Sequence, residues 1–455
     1  MKRIENRAMV CRILAGILLL GLGLFLFRWM TDGGGWASSA FNRHLYNNDG
    51  ELVSGTVLDR DGDILSTVED GKRSYYSDAT VRKATLHVVG DRLGNIGTGA
   101  LNAYADKLSG YDFLNGAYGA KAGNNLYLTI DARYNFIAYQ ALGGKRGTVA
   151  VYNYKTGEIL CLVSAPSYDP LHVPADIETN EAYHGAYLNR FLSSTFTPGS
   201  VFKTVTMAAA IEEIPDIFDR TFTCTGTTQV GDDVVTCPGA HGTMDIYGAL
   251  THSCNGVFAQ LAVELGAKTM EKYTVKAGLT DSYDVSGLPT AKGTFQFADA
   301  TENQLGWSGV GQYQDAVNPC ALMVYMGAIA NRGRAAEPRL LLKTTTAHGF
   351  PASLELTHKT GRLIAPKTAD ILTDMLSRNV TDNYGTKRFP NMDICAKSGT
   401  AEVAAEKSAH AWFTGFLRNE DAPLAFVVLV ENGGGGSSVA GTVAGKVLDA
   451  IVNGY

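Results

Sequence analysis

The strongest hydrophobic pattern in the chain is an uncharged run near its N-terminus. Residues 13–27 carry no charge, and Arg12 and Arg28 enclose them. That run alone would span about 22 Å as a helix, but residues 9–30, with both arginines reaching outward, would span about 33 Å and cross a bilayer of roughly 30 Å. Basic residues before the run predict that residues 1–8 are cytoplasmic and that the rest of the chain lies outside.

A cleaved signal peptide is the alternative for the same run, because residues 38–40 are small and follow the apolar core. Arg28 and Trp29 form a membrane-interface flank, which is unusual ahead of a cleavage site. The sequence therefore favours an uncleaved transmembrane anchor at residues 9–30. Both alternatives place the body of the protein outside the cytoplasm.

Residues 31–124 follow the anchor and show short, glycine-rich patterns. Residues 32–35 include three glycines and are predicted to be a flexible exit from the membrane. Apolar positions in residues 55–65 predict a hairpin that turns at Asp61 and Gly62. Because no constellation of catalytic side chains is found here, we interpret the region as a small accessory domain.

Residues 125–455 show strand patterns at both ends and helical patterns between them. A strand at 126–130 comes first, and Asp131 caps a helix that extends to about Leu142. Another helix begins at Asn318 and ends at Ala330. The other predicted strands are residues 148–152, 158–163, 394–396, 411–416 and 424–430. Helices packed on a sheet that is built from both ends of a region make an α+β architecture with an antiparallel sheet.

One predicted helix start carries candidate chemistry. Pro198 and Gly199 break the preceding element, and apolar residues then recur at helical spacing to Ile211, so Ser200 is predicted to lie in a first helical turn. Lys203 follows three residues later, on the same helix face. The helix N-terminus favours negative charge on the serine oxygen, and a desolvated neutral amine can accept its proton. The pair predicts a serine nucleophile and a lysine base, although an isolated pair of this kind is more often a helix cap beside a solvated lysine.

An S-x-N motif occurs twice, and context decides between the copies. Residues 377–379 end an amphipathic helical stretch and are predicted to be a helix terminus. The other copy lies at a predicted corner between a loop and a helix. We therefore assign the motif to Ser253 and Asn255.

A K-[ST]-G motif occurs three times. Lys155 and Lys359 are predicted to lie in tight turns, where such a tripeptide is ordinary turn chemistry. Only the copy at residues 397–400 follows an apolar strand and precedes two more strands, so only this copy can run along the edge of a sheet. The free N–H groups of an edge strand can face a substrate.

Each residue of that edge segment has a use in binding. Lys397 would supply positive charge to a carboxylate, and the hydroxyls of Ser398 and Thr400 would hydrogen-bond a ligand. Gly399 would let the backbone approach closely, because it has no side chain.

Composition and charge narrow the function further. The net charge is −6 without any block of like charges, which argues against nucleic-acid binding. The seven cysteines form no C-x-x-C pair and no cysteine–histidine group at zinc spacing, so we predict no metal and no cofactor. Cys224 and Cys237 flank a predicted turn outside the membrane, where a disulfide and two free thiols are equal alternatives.

Taken in order, Ser200 with Lys203, Ser253 with Asn255 and then K-S-G-T at residues 397–400 resemble the penicillin-recognising active-site serine enzymes. The chain is most similar to class B penicillin-binding proteins, the monofunctional peptidoglycan D,D-transpeptidases. Its K-S-G-T replaces the commoner K-T-G-T and keeps the hydroxyl. The resemblance covers almost the whole chain and includes the anchor and residues 55–65, 128–131, 241–242, 311–312, 328–331 and 411–413.

For the fold, the resemblance implies a β-lactamase/transpeptidase-like antiparallel sheet flanked by helices in residues 125–455. Residues 31–124 would be a non-catalytic pedestal domain, because they are too few for a glycosyltransferase. For partners, it implies stem peptides and lipid-linked precursor strands of peptidoglycan, β-lactam antibiotics and a membrane glycosyltransferase. The protein would act at the bacterial cell membrane, in cell shape or cell division, with its catalytic domain outside the cytoplasm.

For the site, the resemblance implies a role for each motif residue. Ser200 would attack the carbonyl of the penultimate D-alanine of a stem peptide and form an acyl-enzyme. Lys203 would be the general base, Ser253 would relay a proton to the leaving amine, and Asn255 would orient the substrate. The backbone N–H groups of Ser200 and Thr400 would form the oxyanion hole, in which each donor typically contributes roughly 3 kcal/mol.

Two other functions are alternatives. A D,D-carboxypeptidase or β-lactamase could use the same fold, but the nearest match to a deacylating E-x-x-L-N motif, residues 302–306, lacks the asparagine. A non-catalytic β-lactam sensor or divisome scaffold would only bind in the pocket. His241 and His252 have no identifiable acidic partner, so a serine–histidine mechanism is not predicted.

Overall fold

The computed structural model describes residues 2–39, 45–112, 116–117, 123–403 and 407–454. The first helix, α1 (Lys2–Ala37), is long and apolar enough to cross a membrane, with a mean hydropathy of 2.4 in its most apolar window. The prediction of a flexible exit at residues 32–35 was wrong, because α1 continues through these residues. Gly33 packs there against Tyr111, whose hydroxyl would collide with a Cβ at this position. Ala40, at the end of the alternative cleavage site, lies outside the described residues.

The secondary structure alternates short strands with helices along the rest of the described chain. The helices after α1 are α2 (Ala79–Val89), α3 (Ala100–Ala103), α4 (Ala105–Leu108), α5 (Ala132–Leu142), α6 (Arg190–Ser193), α7 (Lys203–Glu213), α8 (Ile246–Thr251), α9 (Asn255–Leu265), α10 (Ala267–Lys276), α11 (Glu302–Val310), α12 (Pro319–Ala330), α13 (Pro366–Asn379) and α14 (Gly441–Asn453). The strands are β1 (Thr56–Leu58), β2 (Ile64–Glu69), β3 (Lys72–Tyr75), β4 (Tyr111–Asp112), β5 (Gly116–Ala117), β6 (Asn124–Leu128), β7 (Gly147–Asn153), β8 (Ile159–Ala165), β9 (Phe222–Cys224), β10 (Thr227–Val230), β11 (Asp233–Thr236), β12 (Gly242–Met244), β13 (Asp284–Val285), β14 (Leu288–Pro289), β15 (Leu341–Thr346), β16 (Pro351–Leu354), β17 (Ile394–Ala401), β18 (His410–Leu417) and β19 (Leu424–Val430).

The principal sheet is five-stranded and antiparallel, in the order β17-β18-β19-β7-β8. Its strands are rich in β-branched and aromatic residues and are buried on both faces, because α12 covers one face while α5 and α14 cover the other. This arrangement confirms the predicted α+β fold. Strand β17 lies at the edge, with Lys397 opposite Thr414 and Gly399 opposite Trp412 of β18.

A second sheet has six strands in the order β16-β15-β6-β1-β2-β3. Strands β1 and β2 form the hairpin predicted for residues 55–65. Strand β1 also pairs in parallel with β6, which in turn pairs with β15. Residues 341–354 thus complete a sheet whose other strands come from the first 128 residues, and the sheet extends across the predicted division at residue 124.

Capping side chains set the helix starts that the sequence predicts. Asp131 accepts hydrogen bonds from two backbone N–H groups at the start of α5, and Asn318 does the same for α12. Lys155 lies in the turn between β7 and β8 as predicted. Lys359 instead lies in an extended segment that pairs with Ala336, so the predicted turn there was wrong.

Candidate active site

The Ser200 turn is held between two parts of the large domain. Gly199–Val201 forms a single helical turn directly before α7. The N–H of Gly199 donates to the carbonyl of Gly311 at 2.7 Å. On the other side, the indole Nε1 of Trp412 donates to the carbonyl of Thr197 at 2.9 Å. These two hydrogen bonds hold the backbone just before Ser200 in place.

Glycine at two positions allows the Ser200 turn to touch the edge strand β17. Gly199 has φ +57°, in the left-handed region, and a Cβ there would lie 2.8 Å from the Thr400 carbonyl. A Cβ on Gly399 would lie 3.0 Å from the Pro198 carbonyl. The serine and the K-S-G-T strand therefore meet backbone to backbone, which is the approach predicted for Gly399.

Two lysine amines meet at the hydroxyl of Ser253. Lys203 Nζ lies 3.2 Å from Ser253 Oγ and donates to the Ser253 carbonyl at 2.6 Å and to Asn255 Oδ1 at 2.7 Å. Lys397 Nζ lies 3.0 Å from the same Ser253 Oγ and donates to the Ser398 carbonyl at 2.9 Å. One hydroxyl thus joins the helix lysine to the strand lysine.

Burial changes the acid–base properties of both amines. Lys203 is 0% exposed and Lys397 is 1% exposed. Desolvation lowers the pKa of Lys203 well below the ordinary lysine value, and the neighbouring Lys397 lowers it further. Desolvation also lowers the pKa of Lys397, to about 7. Burial and the neighbouring amine thus shift Lys203 toward its neutral form, and a neutral amine can act as a base.

The Ser253 corner is a strained junction between α8 and α9. Ser253 has φ +54°, a conformation that costs a serine about 1 kcal/mol or more, and Cys254 is the N-cap residue of α9. Asn255 begins that helix, and its Nδ2 donates to the carbonyl of Thr236 at 2.8 Å. The amide of Asn255 therefore bridges Lys203 and the end of β11.

A cavity of about 780 Å³ lies over these groups. The predicted residues Ser200, Ser253, Asn255, Ser398 and Thr400 line it. The two lysine side chains lie behind Ser253. The other lining residues are Thr236, Cys237, Pro238, His252, Asn303, Gln304, Trp307, Val310, Gln312, Tyr313 and Glu402.

All eight predicted site residues thus lie in or next to one cavity, with Gly399 contributing backbone. Among the described residues, the hydrogen bonds of Lys203 go to Ser253 and Asn255 and not to Ser200. The rejected S-x-N copy lies in α13, and Lys155 lies in its turn. Their positions fit the choice among motif copies, while the catalytic roles remain predictions.

Two further contacts at the site were missed by sequence reasoning. The hydroxyl of Tyr384 accepts the Ser398 N–H at 2.9 Å and lies 3.0 Å from Ser398 Oγ. Gln312, with its amide oriented to match, pairs with both the carbonyl and the N–H of Glu402, at 3.2 and 3.1 Å. No local pattern predicts a partner for Ser398 fourteen residues upstream, since the contact depends on how the chain leaves α13.

The fold also gathers cysteines next to the cavity. The structure has all seven cysteines as free thiols, so the disulfide alternative for Cys224 and Cys237 is not formed. Instead Cys224, Cys237, Cys254 and His241 each offer a ligand atom within 4.8 Å of the others. The prediction of no metal rested on sequence spacing, which does not reveal a group brought together by the fold.

Comparisons with known proteins agree with this architecture. Residues 147–451 match the model of the penicillin binding protein transpeptidase domain. The peptidoglycan D,D-transpeptidase PbpA of Mycolicibacterium smegmatis is 30% identical over 346 residues, which are 70% of this chain and 70% of that protein. Penicillin-binding protein 3 of Bacillus subtilis is 28% identical over 377 residues, which are 75% of this chain and 55% of that protein.

Solved structures give the same result. Penicillin-binding protein A from M. tuberculosis, as a ceftriaxone acyl-enzyme complex, has a TM-score of 0.78 and 25% identity, covering 88% of this chain and 98% of that chain. The D,D-transpeptidase domain from Eggerthella lenta has a TM-score of 0.77 and 28% identity over the same shares of the two chains. Together with the matched family model, these likenesses show that the chain belongs to the class B penicillin-binding proteins, the serine D,D-transpeptidases.

Proposed function

We propose that this protein cross-links peptidoglycan stem peptides through an acyl-enzyme on Ser200 and that β-lactams acylate the same serine. The observation that carries the proposal is the buried contact of Lys203 with Ser253 and Asn255 beneath the cavity that Ser200 lines. It supplies a base, a proton carrier and an orienting amide within one hydrogen-bonded group. The named activity of the relatives supports the same reaction class.

In the first half-reaction, Ser200 Oγ attacks the carbonyl carbon of the penultimate D-alanine while Lys203 takes the hydroxyl proton. The C–N bond to the terminal D-alanine then breaks, and the leaving nitrogen needs a proton. Ser253 Oγ, 3.2 Å from Lys203 Nζ, is placed to pass it on. The products are free D-alanine and an ester on Ser200.

Lys397, on the edge strand β17, would bind the substrate. Its amine contacts Ser253 Oγ and, when protonated, attracts the terminal carboxylate of the donor peptide. The exposed Thr400 backbone and the N–H of Ser200 provide the oxyanion hole, since Gly199 and Gly399 let those two segments meet.

The second half-reaction favours an amine over water as the acceptor. Hydrolysis needs a positioned base, and the nearest deacylation-like segment begins at Glu302. That segment contributes Asn303 and Gln304 to the cavity lining, whereas Glu302 is not among the lining residues. The amine of a second stem peptide would therefore receive the acyl group and close the cross-link.

The place of action follows from α1. We place α1 in the cytoplasmic membrane, with residues 1–8 inside and the catalytic domain outside, because the basic residues precede the apolar run. A protease added to intact spheroplasts would then degrade the catalytic domain and spare the N-terminal tail. Protection of the catalytic domain would contradict this topology. A membrane glycosyltransferase partner, which would supply the glycan strands, stays a prediction.

The primary test uses the full-length chain in detergent, incubated with penicillin and followed for hours by intact-protein mass spectrometry. We expect a persistent adduct of one penicillin per chain that peptide mapping places on Ser200. Ser200→Ala should give no adduct. Ser193→Ala, which changes an exposed serine nearby, should label like the wild type. A matched assay with a donor stem peptide and an acceptor amine should yield a cross-linked product and free D-alanine.

Each other result would replace the proposal with an alternative. Penicillin consumed without a persistent adduct would indicate a β-lactamase. A shortened donor peptide without cross-linked product would indicate a D,D-carboxypeptidase. Labelling of Ser200 without any turnover of stem peptides would indicate a sensor or a scaffold.

A further inference from the structure

The cysteine–histidine group beside the S-x-N corner is assembled from four separate points of the chain. Cys224 ends β9, Cys237 follows β11, and His241 directly precedes β12. Cys254 is the N-cap residue of α9. One ligand atom from each lies within 4.8 Å of all the others.

The spacing of these atoms fits a tetrahedral zinc site. With Zn–S bonds of about 2.3 Å, two thiolates on a tetrahedral zinc ion lie roughly 3.8 Å apart. The Sγ atoms of Cys237 and Cys254 are 3.8 Å apart. Three thiolates and one imidazole form a closed donor set, which is typical of structural zinc and leaves no open position for catalysis.

The surroundings of His241 and Cys237 fit metal ligands better than side chains that only fill space in the core. Nδ1 of His241 is buried without a hydrogen-bond partner among the described residues, although its ring stacks on His252 with centroids 5.5 Å apart. Cys237 Sγ accepts the backbone N–H of Gly256 at 3.5 Å, from the first turn of α9. A helix N-terminus and an N–H donor both stabilise a thiolate, and such outer contacts orient metal ligands.

The surrounding strands are short, and most of their residues are exposed. Residues 222–244 form two ladders of two strands each, β9 with β12 and β10 with β11. A two-stranded ladder has marginal stability by itself. A metal ion bound to both ladders and to α9 would hold them together, because metal binding contributes directly to folding.

We propose that Cys224, Cys237, His241 and Cys254 bind one structural zinc ion, which fixes the S-x-N corner of the active site. Cys254 lies between Ser253 and Asn255, and Cys237 directly follows Thr236, whose carbonyl holds the Asn255 amide. One zinc ion would therefore hold in place both partners of the hydrogen bond between Asn255 and Thr236. Loss of zinc would displace Ser253 and Asn255 from the lysines and slow acylation.

The test uses the full-length chain in detergent, purified under reducing conditions with an affinity tag that contains no histidine. Elemental analysis should find about one zinc ion per chain. Cys224→Ser and His241→Ala should lose it, His241→Cys should retain it as a four-thiolate site, and Cys395→Ser, a buried cysteine outside the group, should keep it. Cobalt added to the zinc-free wild type should give the visible absorption of tetrahedral thiolate ligation, which does not depend on any variant folding.

A second measurement links the metal to the corner. A chelator should lower both the unfolding temperature and the rate of penicillin acylation, and zinc but not magnesium should restore both. The proposal is overturned if the reduced wild type binds neither zinc nor cobalt, or if Cys224→Ser and His241→Ala hold as much zinc as the wild type. It is also overturned if the native protein carries a disulfide within the group, seen as an intact mass lower by two hydrogens and two blocked thiols.

Discussion

The two walls of the catalytic cleft are built in different ways. The sheet wall consists of β17 and the Ser200 turn, and most β17 residues are buried within a five-stranded sheet that is covered on both faces. The corner wall consists of residues 253–255 and the ladders of residues 222–244, whose strands are mostly exposed. One wall is buried in a large hydrophobic core, whereas the other contributes only one or two buried residues per strand to the core and relies more on polar contacts such as Asn255 to Thr236.

The lysines connect these walls. Lys397 reaches from β17 to the Ser253 hydroxyl, and Lys203 reaches from α7 to Ser253 and Asn255. Regions with few buried apolar contacts open more easily than core elements. The difference between the walls therefore predicts that catalysis is most sensitive to whatever holds the corner wall against the rigid one.

The largest expected effect comes from Lys203→Met, which removes the amine and keeps a side chain of similar length. Penicillin acylation should slow by about 10³-fold, because a positioned general base typically contributes 10²- to 10⁴-fold. The carbonyl of Ser253 and the Asn255 amide oxygen would also lose their donor. Stopped-flow or quenched mass spectrometry measures the rate. Lys145→Met, which changes an exposed lysine, is the control, and a loss below tenfold for Lys203→Met would exclude Lys203 as the base.

The second expected effect is a pH dependence of stability. Lys397 has an ordinary pKa of 10.5 when unfolded and a pKa of about 7 when folded. Between those values the unfolded chain binds more protons than the folded chain, so the free energy of unfolding rises with pH by about 1 kcal/mol per pH unit. Below pH 7 the folded lysine is charged as well, and this contribution no longer changes. Lys397→Met should lose this part of the slope in denaturant unfolding between pH 7 and 9, and an unchanged slope would contradict the lowered pKa.

The third expected effect tests the contact between the Ser200 turn and β17. Gly199→Ala would place a Cβ 2.8 Å from the Thr400 carbonyl and should slow acylation about 10²-fold, the scale of a misplacement of roughly 1 Å. Gly143→Ala is a matched control, because Gly143 has φ +58° and its nearest neighbour to a Cβ is 4.0 Å away. Both variants should lose the stability that a left-handed alanine costs, Gly199→Ala should lose more because of the close contact, and only Gly199→Ala should slow acylation. Equal acylation rates would show that the close approach is not needed.

The sheet wall could be predicted because its strands leave strong local signals. Residues 424–430 are a continuous apolar run, and residues 148–152 and 411–416 are mostly β-branched, aromatic or apolar; the three stretches become β19, β7 and β18. The caps at Asp131 and Asn318 act through adjacent backbone groups and are equally local. The apolar strand before residues 397–400 and the two strands after them then predicted Lys397 on an edge strand, and the structure has it there.

The ladders of the corner wall and the long-range pairings of the second sheet could not be predicted in the same way, since their contacts join distant segments. Strands of three or four residues, such as β9 and β12, are too short to show a period. Strand β15 joins β6 across about two hundred residues. The four ligands around Cys254 come together only through such pairings. A polar residue at a strand end gives no sign of its partner.

The smallest expected effect concerns Tyr384, whose hydroxyl accepts the Ser398 N–H and contacts Ser398 Oγ. Tyr384→Phe removes one hydrogen-bonding group and keeps the ring, which packs edge-on against Phe413. Since a single neutral hydrogen bond contributes about 1 kcal/mol, acylation should slow about fivefold. The control is Tyr139→Phe, on α5 and outside the cavity. An unchanged rate would mean that Ser398 is oriented by β17 alone, whereas a loss as large as that of Lys203→Met would mean that the sheet wall needs polar support as much as the corner wall does.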